Sequence, residues 1–372
     1  MGVEFGDGRN LTMACSGRAS SVLLIFNGLR ALLMSGVGRL LMTKGLSSKV
    51  MSLPIAGRLS CFFVSLVLCP GSIIAQGMPF PDLIRMYDYD RKASLEVKEH
   101  SVENRDGVKV YDISYSGAGR GRVPAYLVVP AGKGPFAAVI FASCCDGKRE
   151  RFLEEALELA QMGTVSLLVD WNAAKRPDYK PNKDGPPRGA AGGTDDRGEV
   201  IKMVIEFRRG IDVLQSRHDV DAKRIAFIGH STGGRAASIL AGVEKRIKSV
   251  VIMASQISAT EAWRSNDNPR IVKLRESLPK ETFEQYLDAI APVDAIHYVK
   301  HAAPTALLLQ FGLQDDSPNE RQARLFSDVA SDPKTFKLYD AKHYLNDEAR
   351  KERVEWLAAQ LRLRRRNAPS AK

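Results

Sequence analysis

Five short stretches of this chain are almost continuously apolar: residues 137–143 (AAVIFAS), 164–170 (TVSLLVD), 224–229 (RIAFIG), 247–255 (IKSVVIMAS) and 303–312 (APTALLLQFG). A strand with one wet face alternates apolar and polar residues. An uninterrupted run of this length reads instead as a strand covered on both faces. Stretches of helical spacing lie between the runs, among them ERFLEEALELAQMG, RGEVIKMVIEFRRGIDVLQSR, GGRAASILAGV and NERQARLFSDVA. KTFKLYD predicts a last strand and EARKERVEWLAAQLRLR a final helix. Strand and helix in alternation require crossover connections, and so a mostly parallel central sheet with helices on both faces. Residues 94–101, 109–114 and 125–129 read as extended, with Arg105-Asp106-Gly107 as a hairpin turn. They predict an antiparallel N-terminal edge to that sheet.

The chain has 372 residues, 44% of them hydrophobic, which excludes disordered and fibrous classes and suffices for a large core. Its net charge of +11 is unevenly placed, because residues 1–75 hold seven Lys/Arg against two Asp/Glu and the C-terminus ends RLRLRRRNAPSAK. The body is near balance, and no nucleic-acid motif accompanies the charge, so nucleic acid is not expected as a partner. The basic tail reads as a solvated or frayed end, with contact to an anionic surface or polymer as the alternative.

Residues 1–75 are expected to lie outside the fold. Lys49 and Arg58 precede an apolar run from Leu59 to Leu68, then Pro70-Gly71 and Ile73-Ile74-Ala75. This is the layout of a secretory signal peptide cleaved after Ala75, with a core short for a bilayer span. An uncleaved segment acting as a membrane anchor is the competing reading, and the only expected membrane contact. An exported, periplasmic or extracellular protein follows. Of the five cysteines, Cys15, Cys61 and Cys69 fall in this segment, leaving the adjacent Cys144 and Cys145. No long loop can then be stapled within residues 76–372. Those residues are read as one domain with excursions at 171–194 and 256–301. The first is rich in Pro, Gly and Lys, fitting either a specificity loop or a surface excursion.

The corner between RIAFIG and the alanine-rich helix is Gly229-His230-Ser231-Thr232-Gly233. A serine at a strand-to-helix corner takes a strained backbone conformation, and flanking glycines remove the steric conflict. Its hydroxyl stands clear of the sheet, near the N–H groups of the following helix. A serine hydroxyl is a weak nucleophile until a base takes its proton and a third group orients the base. With this corner, the acid and then the histidine are expected after the serine. Of six histidines, His343 alone follows the last predicted strand and precedes the final helix, so it is the candidate base. Asp315, at the end of the ALLLQFG strand in the spacing Gly312-x-x-Asp315, is the candidate acid; Asp316 is the solvated neighbour. The oxyanion needs preorganised donors, each worth about 3 kcal/mol of barrier. Thr232 N–H is one, and the loop after AAVIFAS supplies the other, assigned to Cys144. Trp171 and Trp263 are candidate substrate-pocket walls. If Cys144 and Cys145 oxidised to a strained ring, redox state would act on that same loop; two small residues lining a tight loop are the ordinary reading.

Residues 80–362 resemble the α/β-hydrolase superfamily, in particular its dienelactone hydrolase-like and acetyl xylan esterase-like members. GHSTGG, LLLQFGLQDD, AKHYL and the DDRGEVIKMVIEFRRGIDVL helix carry the resemblance. It implies an α/β-hydrolase fold and a cofactor-free serine esterase forming an acyl-enzyme, acting on a small-molecule or acylated-carbohydrate ester. Dienelactone hydrolases use cysteine where this chain has Ser231, which favours a carboxylesterase. Many relatives carry His-Gly where Ala142-Ser143 stand, which leaves the second oxyanion donor to be located. A peptidase of the prolyl-oligopeptidase type would need a propeller that nothing here resembles. A non-catalytic binding protein on a hydrolase scaffold would not need the intact serine, acid and histidine. No His/Cys/Asp cluster has zinc spacing and no dinucleotide glycine motif follows a strand, so neither metal nor cofactor is expected.

Overall fold

The structure, a computed structural model, describes residues 77–117, 121–144, 146–171, 189–265, 267 and 269–364. The N-terminal 1–75 segment, Cys15, Cys61, Cys69 and Cys145 lie outside the described residues. The strands are β1 (Lys98–Arg105), β2 (Val108–Ser116), β3 (Arg122–Val129), β4 (Phe136–Ala142), β5 (Thr164–Val169), β6 (Val220–His230), β7 (Ile247–Met253), β8 (Ala306–Gly312) and β9 (Lys334–Tyr339). They form one sheet in the spatial order β1-β2-β3-β5-β4-β6-β7-β8-β9. β1, β2, β3 and β5 pair antiparallel, and every pair from β5 through β9 is parallel. The antiparallel edge and parallel body are as the patterning predicts. Asp106 and Gly107 both take positive φ (51° and 82°), making the two-residue turn that matches strand twist between β1 and β2.

The continuous apolar runs bury both faces because successive side chains point opposite ways. Ile140, Phe227, Ile252 and Leu309 join one core with α3 (Gly189–Gln215) and α4 (Thr232–Val243). Val139, Phe141, Ile228 and Leu308 join a second core with α2 (Leu153–Gln161) and α10 (Asp347–Leu361). The second face is also tied by charge. Arg353 of α10 donates to both carboxylate oxygens of Glu155 on α2 (2.8 and 2.7 Å) and to Oε1 of Gln310 on β8 (2.8 Å). All three residues are buried.

One expectation is corrected. The excursion at 171–194 does not extend to 194, because α3 already begins at Gly189. Gly193 packs so closely on the Tyr286 carbonyl that a Cβ there would collide with it, so tertiary contact holds a glycine-rich stretch helical. Asp196 lies inside α3 and accepts a 2.7 Å hydrogen bond from the Tyr286 hydroxyl. The excursion at 256–301 forms α5 (Ala259–Ser265), α6 (Pro269–Glu276), α7 (Lys280–Ile290) and α8 (Ile296–Val299). α7 docks on α3 through that hydrogen bond and through Arg197 Nη1 on the Ala289 carbonyl (3.0 Å). No described helix is long and apolar enough to cross a membrane.

Candidate active site

β6 runs out at His230 and α4 starts at Thr232, so Ser231 is the corner itself, at φ 56° and ψ −112°. A non-glycine residue is strained there, by about 1–3 kcal/mol. The surroundings over-determine the position. Ser231 N–H donates to the Met253 carbonyl of β7 (2.9 Å), and the Ser231 carbonyl accepts from Arg235 N–H (3.0 Å). Gly233 is required for close approach, since a Cβ would collide with the Ala142 carbonyl of the β4 exit loop. Thr232 is the first residue of α4, so its N–H has no acceptor within the helix and is open to an anion.

The candidate acid and base meet at the same rim. Asp315 lies three residues past β8 and its side chain is 5% exposed. One oxygen accepts from Ser317 N–H (2.9 Å), and the other lies 2.7 Å from His343 Nδ1. That contact directs the opposite ring nitrogen, Nε2, away from the carboxylate. Gly312 lets the two loops touch, because a Cβ there would strike the Ala341 and Lys342 carbonyls. Asp316 is exposed. Ser231 and His343 line one cleft of about 310 Å³ with Thr232, Ser255, Gln256 and Ser317. Among the described residues, Ser231 Oγ closes no hydrogen bond to the imidazole; such bonds are often long without substrate. Strain gathers here: besides Ser231, Ala254 in the cleft wall and Leu345 in the histidine loop take positive φ (47° and 60°).

His230 has a part that sequence reasoning did not assign. It is 3% exposed, and its Nε2–H donates to the His343 carbonyl at 2.8 Å. The rings lie 4.9 Å apart. His230 thus holds the backbone of the candidate base. The acceptor is 113 residues away, which no local pattern reveals. Burial lowers the His230 pKa from 6.5 to about 4, against the opposing pull of the His343 carbonyl. Between those values the unfolded chain binds the proton and the folded one does not. The contribution to stability is full above pH 6.5 and lost as pH falls toward 4, by about 3 kcal/mol in all. Urea midpoints measured from pH 7 to 4.5 should therefore fall less steeply in His230→Gln than in the parent. Parallel slopes would show that His230 does not titrate this way.

The β4 exit loop lies against the start of α4, with the Ala142 and Ser143 carbonyls beside Gly233. Cys144 is a buried free cysteine with Sγ 3.6 Å from the Tyr344 hydroxyl, so this loop also touches the histidine loop. Cys144 is not among the described residues lining the cleft. Trp171 is 9% exposed and donates from Nε1 to the Ser143 carbonyl (3.2 Å), bracing the loop from behind. Trp263 is half-buried against the core of α3 and α4. Neither tryptophan lines the described cleft. Among the described residues, no three His, Cys, Asp or Glu side chains gather in a way that could hold a metal.

A serine on a strained strand–helix elbow, in a parallel sheet with an antiparallel edge, places the protein among the α/β-hydrolase-type serine hydrolases. Residues 82–360 match the acetyl xylan esterase (AXE1) family, and the chain belongs to that family. It is a carboxylic ester hydrolase. YtaP of Bacillus subtilis (strain 168), a hydrolase by name, is 26% identical over 231 residues, 55% of this chain and 69% of its own. Acetyl xylan esterase from Paenibacillus sp. R4 superposes with a TM-score of 0.63 at 20% identity, covering 76% of this chain and 93% of its own. Acetyl xylan esterase 1 from Thermoanaerobacterium sp. JW/SL YS485 gives 0.63 at 17% identity with the same coverage. These two structures share the fold.

Proposed function

We propose that the protein is an exported esterase that removes short acyl groups, acetyl above all, from carbohydrate or small-molecule alcohols through an acyl-enzyme on Ser231. The observation that carries this reading is the 2.7 Å Asp315–His343 contact at the rim of the cleft that also holds the strained Ser231. His343 Nε2 takes the hydroxyl proton as Ser231 Oγ attacks the ester carbonyl. Asp315 holds the ring in the tautomer that leaves Nε2 unprotonated and offsets the positive charge formed. The tetrahedral oxyanion is held by Thr232 N–H and by an N–H of the β4 exit loop, assigned to Cys144. His343 returns the proton to the departing alcohol. Water, deprotonated by the same ring, then frees the acid and restores the hydroxyl. The modest volume and polar walls of the cleft favour a small acyl group. Family membership supports an acetylated carbohydrate as substrate, and the layout of residues 49–75 supports export.

The test is a hydrolysis screen over 4-nitrophenyl esters of two to eight carbons and acetylated xylo-oligosaccharides, with fluorophosphonate labelling alongside. The expected result is a rate falling with chain length, acetate release from the sugar, and one label on Ser231. A protein that neither labels nor hydrolyses would be a binding protein on a hydrolase scaffold.

A further inference from the structure

Among the described residues, the cleft is lined by a positive charge and by no acid. Arg235 lines it from α4, one helical turn beyond Ser231. None of the described residues lining the cleft is Asp or Glu. Asp315 stands behind His343 with its side chain 5% exposed. Arg235 itself is only partly exposed. Its Nε donates to the Val293 carbonyl (3.1 Å), which aims the guanidinium. Nη2 is buried with no partner, and no carboxylate among the described residues pairs with the group.

Other buried or half-buried arginines have their donors satisfied, Arg209 by the Ser116 and Ser94 carbonyls (2.6 and 2.7 Å) and the following three by carboxylates. Arg353 has Glu155, Arg246 has Asp212 and Glu244, and Arg208 shares Glu244. An acid does lie close in the chain to the Val293 carbonyl that Arg235 grips, but it is committed elsewhere. Asp294 accepts from Ser258 Oγ (2.8 Å), Ala259 N–H (2.9 Å), Thr260 N–H (3.3 Å) and Thr260 Oγ1 (2.6 Å) at the start of α5. A second polar group on the same wall is also unmatched. Ser255 Oγ is buried without a partner, and Ser255 packs on Gly234, next to Arg235. A half-buried guanidinium with no counter-charge among the described residues is less favourable than a paired one, and a packing role alone would be met by an uncharged side chain. With Nε on the Val293 carbonyl and Nη2 buried, Nη1 is the donor left for a charge-assisted hydrogen bond to a carboxylate in the cleft.

We propose that the ester turned over at Ser231 carries a carboxylate within reach of the scissile carbonyl, and that Arg235 binds it. This rests on the esterase reading above and adds a substrate class to it: an acidic ester, with the charge on the acyl or the alcohol side. The carboxylate accepts from Nη1, and Ser255 sits on the wall beside it. Neutral esters enter the same cleft without that attraction.

The test compares charge-matched pairs. Mono-4-nitrophenyl succinate against 4-nitrophenyl butyrate places the carboxylate on the acyl side. 3-Acetoxybenzoate against 3-acetoxybenzamide places it on the alcohol side. For at least one pair, wild-type kcat/KM should favour the acidic ester. In Arg235→Gln the acidic-to-neutral ratio should fall roughly 10- to 100-fold, mainly through KM, as expected for a lost charge-assisted hydrogen bond. Arg235→Lys keeps the charge and one donor and should recover part of the ratio. Added salt should reduce the wild-type preference. A ratio that stays the same in Arg235→Gln for both pairs overturns the proposal, even with both members hydrolysed. So does an equal fall on acidic and neutral esters, the mark of a purely structural arginine. Absence of Ser231-dependent hydrolysis of any ester would overturn the esterase reading itself, and this proposal with it.

Discussion

Replacing Ser231 by alanine is expected to lower kcat on 4-nitrophenyl acetate by 10⁴-fold or more, on the order of the loss when an activated serine is removed from such a site. In the proposed mechanism the hydroxyl oxygen forms the ester bond to the acyl group, and no neighbouring group can replace it at the elbow. Stopped-flow hydrolysis and intact mass after rapid quench check this. Retention of a tenth of the activity, or of the acyl adduct, would assign the nucleophile elsewhere. The same position separates strain from chemistry. Alanine at φ 56° and ψ −112° keeps the backbone conflict, whereas glycine relieves it. Ser231→Gly should be as inactive as Ser231→Ala but more stable than the parent, by about 1–3 kcal/mol in urea unfolding. Identical midpoints for all three proteins would mean that the elbow stores no strain.

The largest expected loss of stability lies under the site. Arg353→Met leaves the Glu155 carboxylate buried with its two guanidinium bonds gone and strips Gln310 of a donor. Removing one partner of a buried ion pair costs about 3–5 kcal/mol, because the other charge is left desolvated and alone. The double variant Glu155→Leu/Arg353→Met should recover much of that loss, since it removes both buried charges. Equilibrium unfolding of the two proteins decides the matter. A double variant no more stable than the single would show that packing, not charge, makes this contact. The position also bears on function. Gln310 gives its carbonyl to Ala254 N–H (2.9 Å), a wall of the cleft, so Arg353→Met should also weaken catalysis modestly.

Much of this protein was legible from spacing alone. Buried strands announce themselves as uninterrupted apolar runs, and residues 137–143 and 164–170 became β4 and β5 within a residue at each end. The elbow was legible because a strained serine needs small neighbours on both sides. The rim that brings Asp315 to His343 follows from strand order, since parallel strands end at one edge and the loops that follow them share it. These features depend on backbone geometry and on residues close in sequence. The tertiary structure decided the rest. Gly189 to Thr194 reads as loop by composition and is helix because Tyr286, far along the chain, packs on Gly193. His230 holds the His343 backbone from 113 residues away, and Arg235 meets the cleft with no carboxylate partner among the described residues. Whether a polar group is satisfied depends on what meets it in space, and a one-dimensional pattern records only what sits beside it.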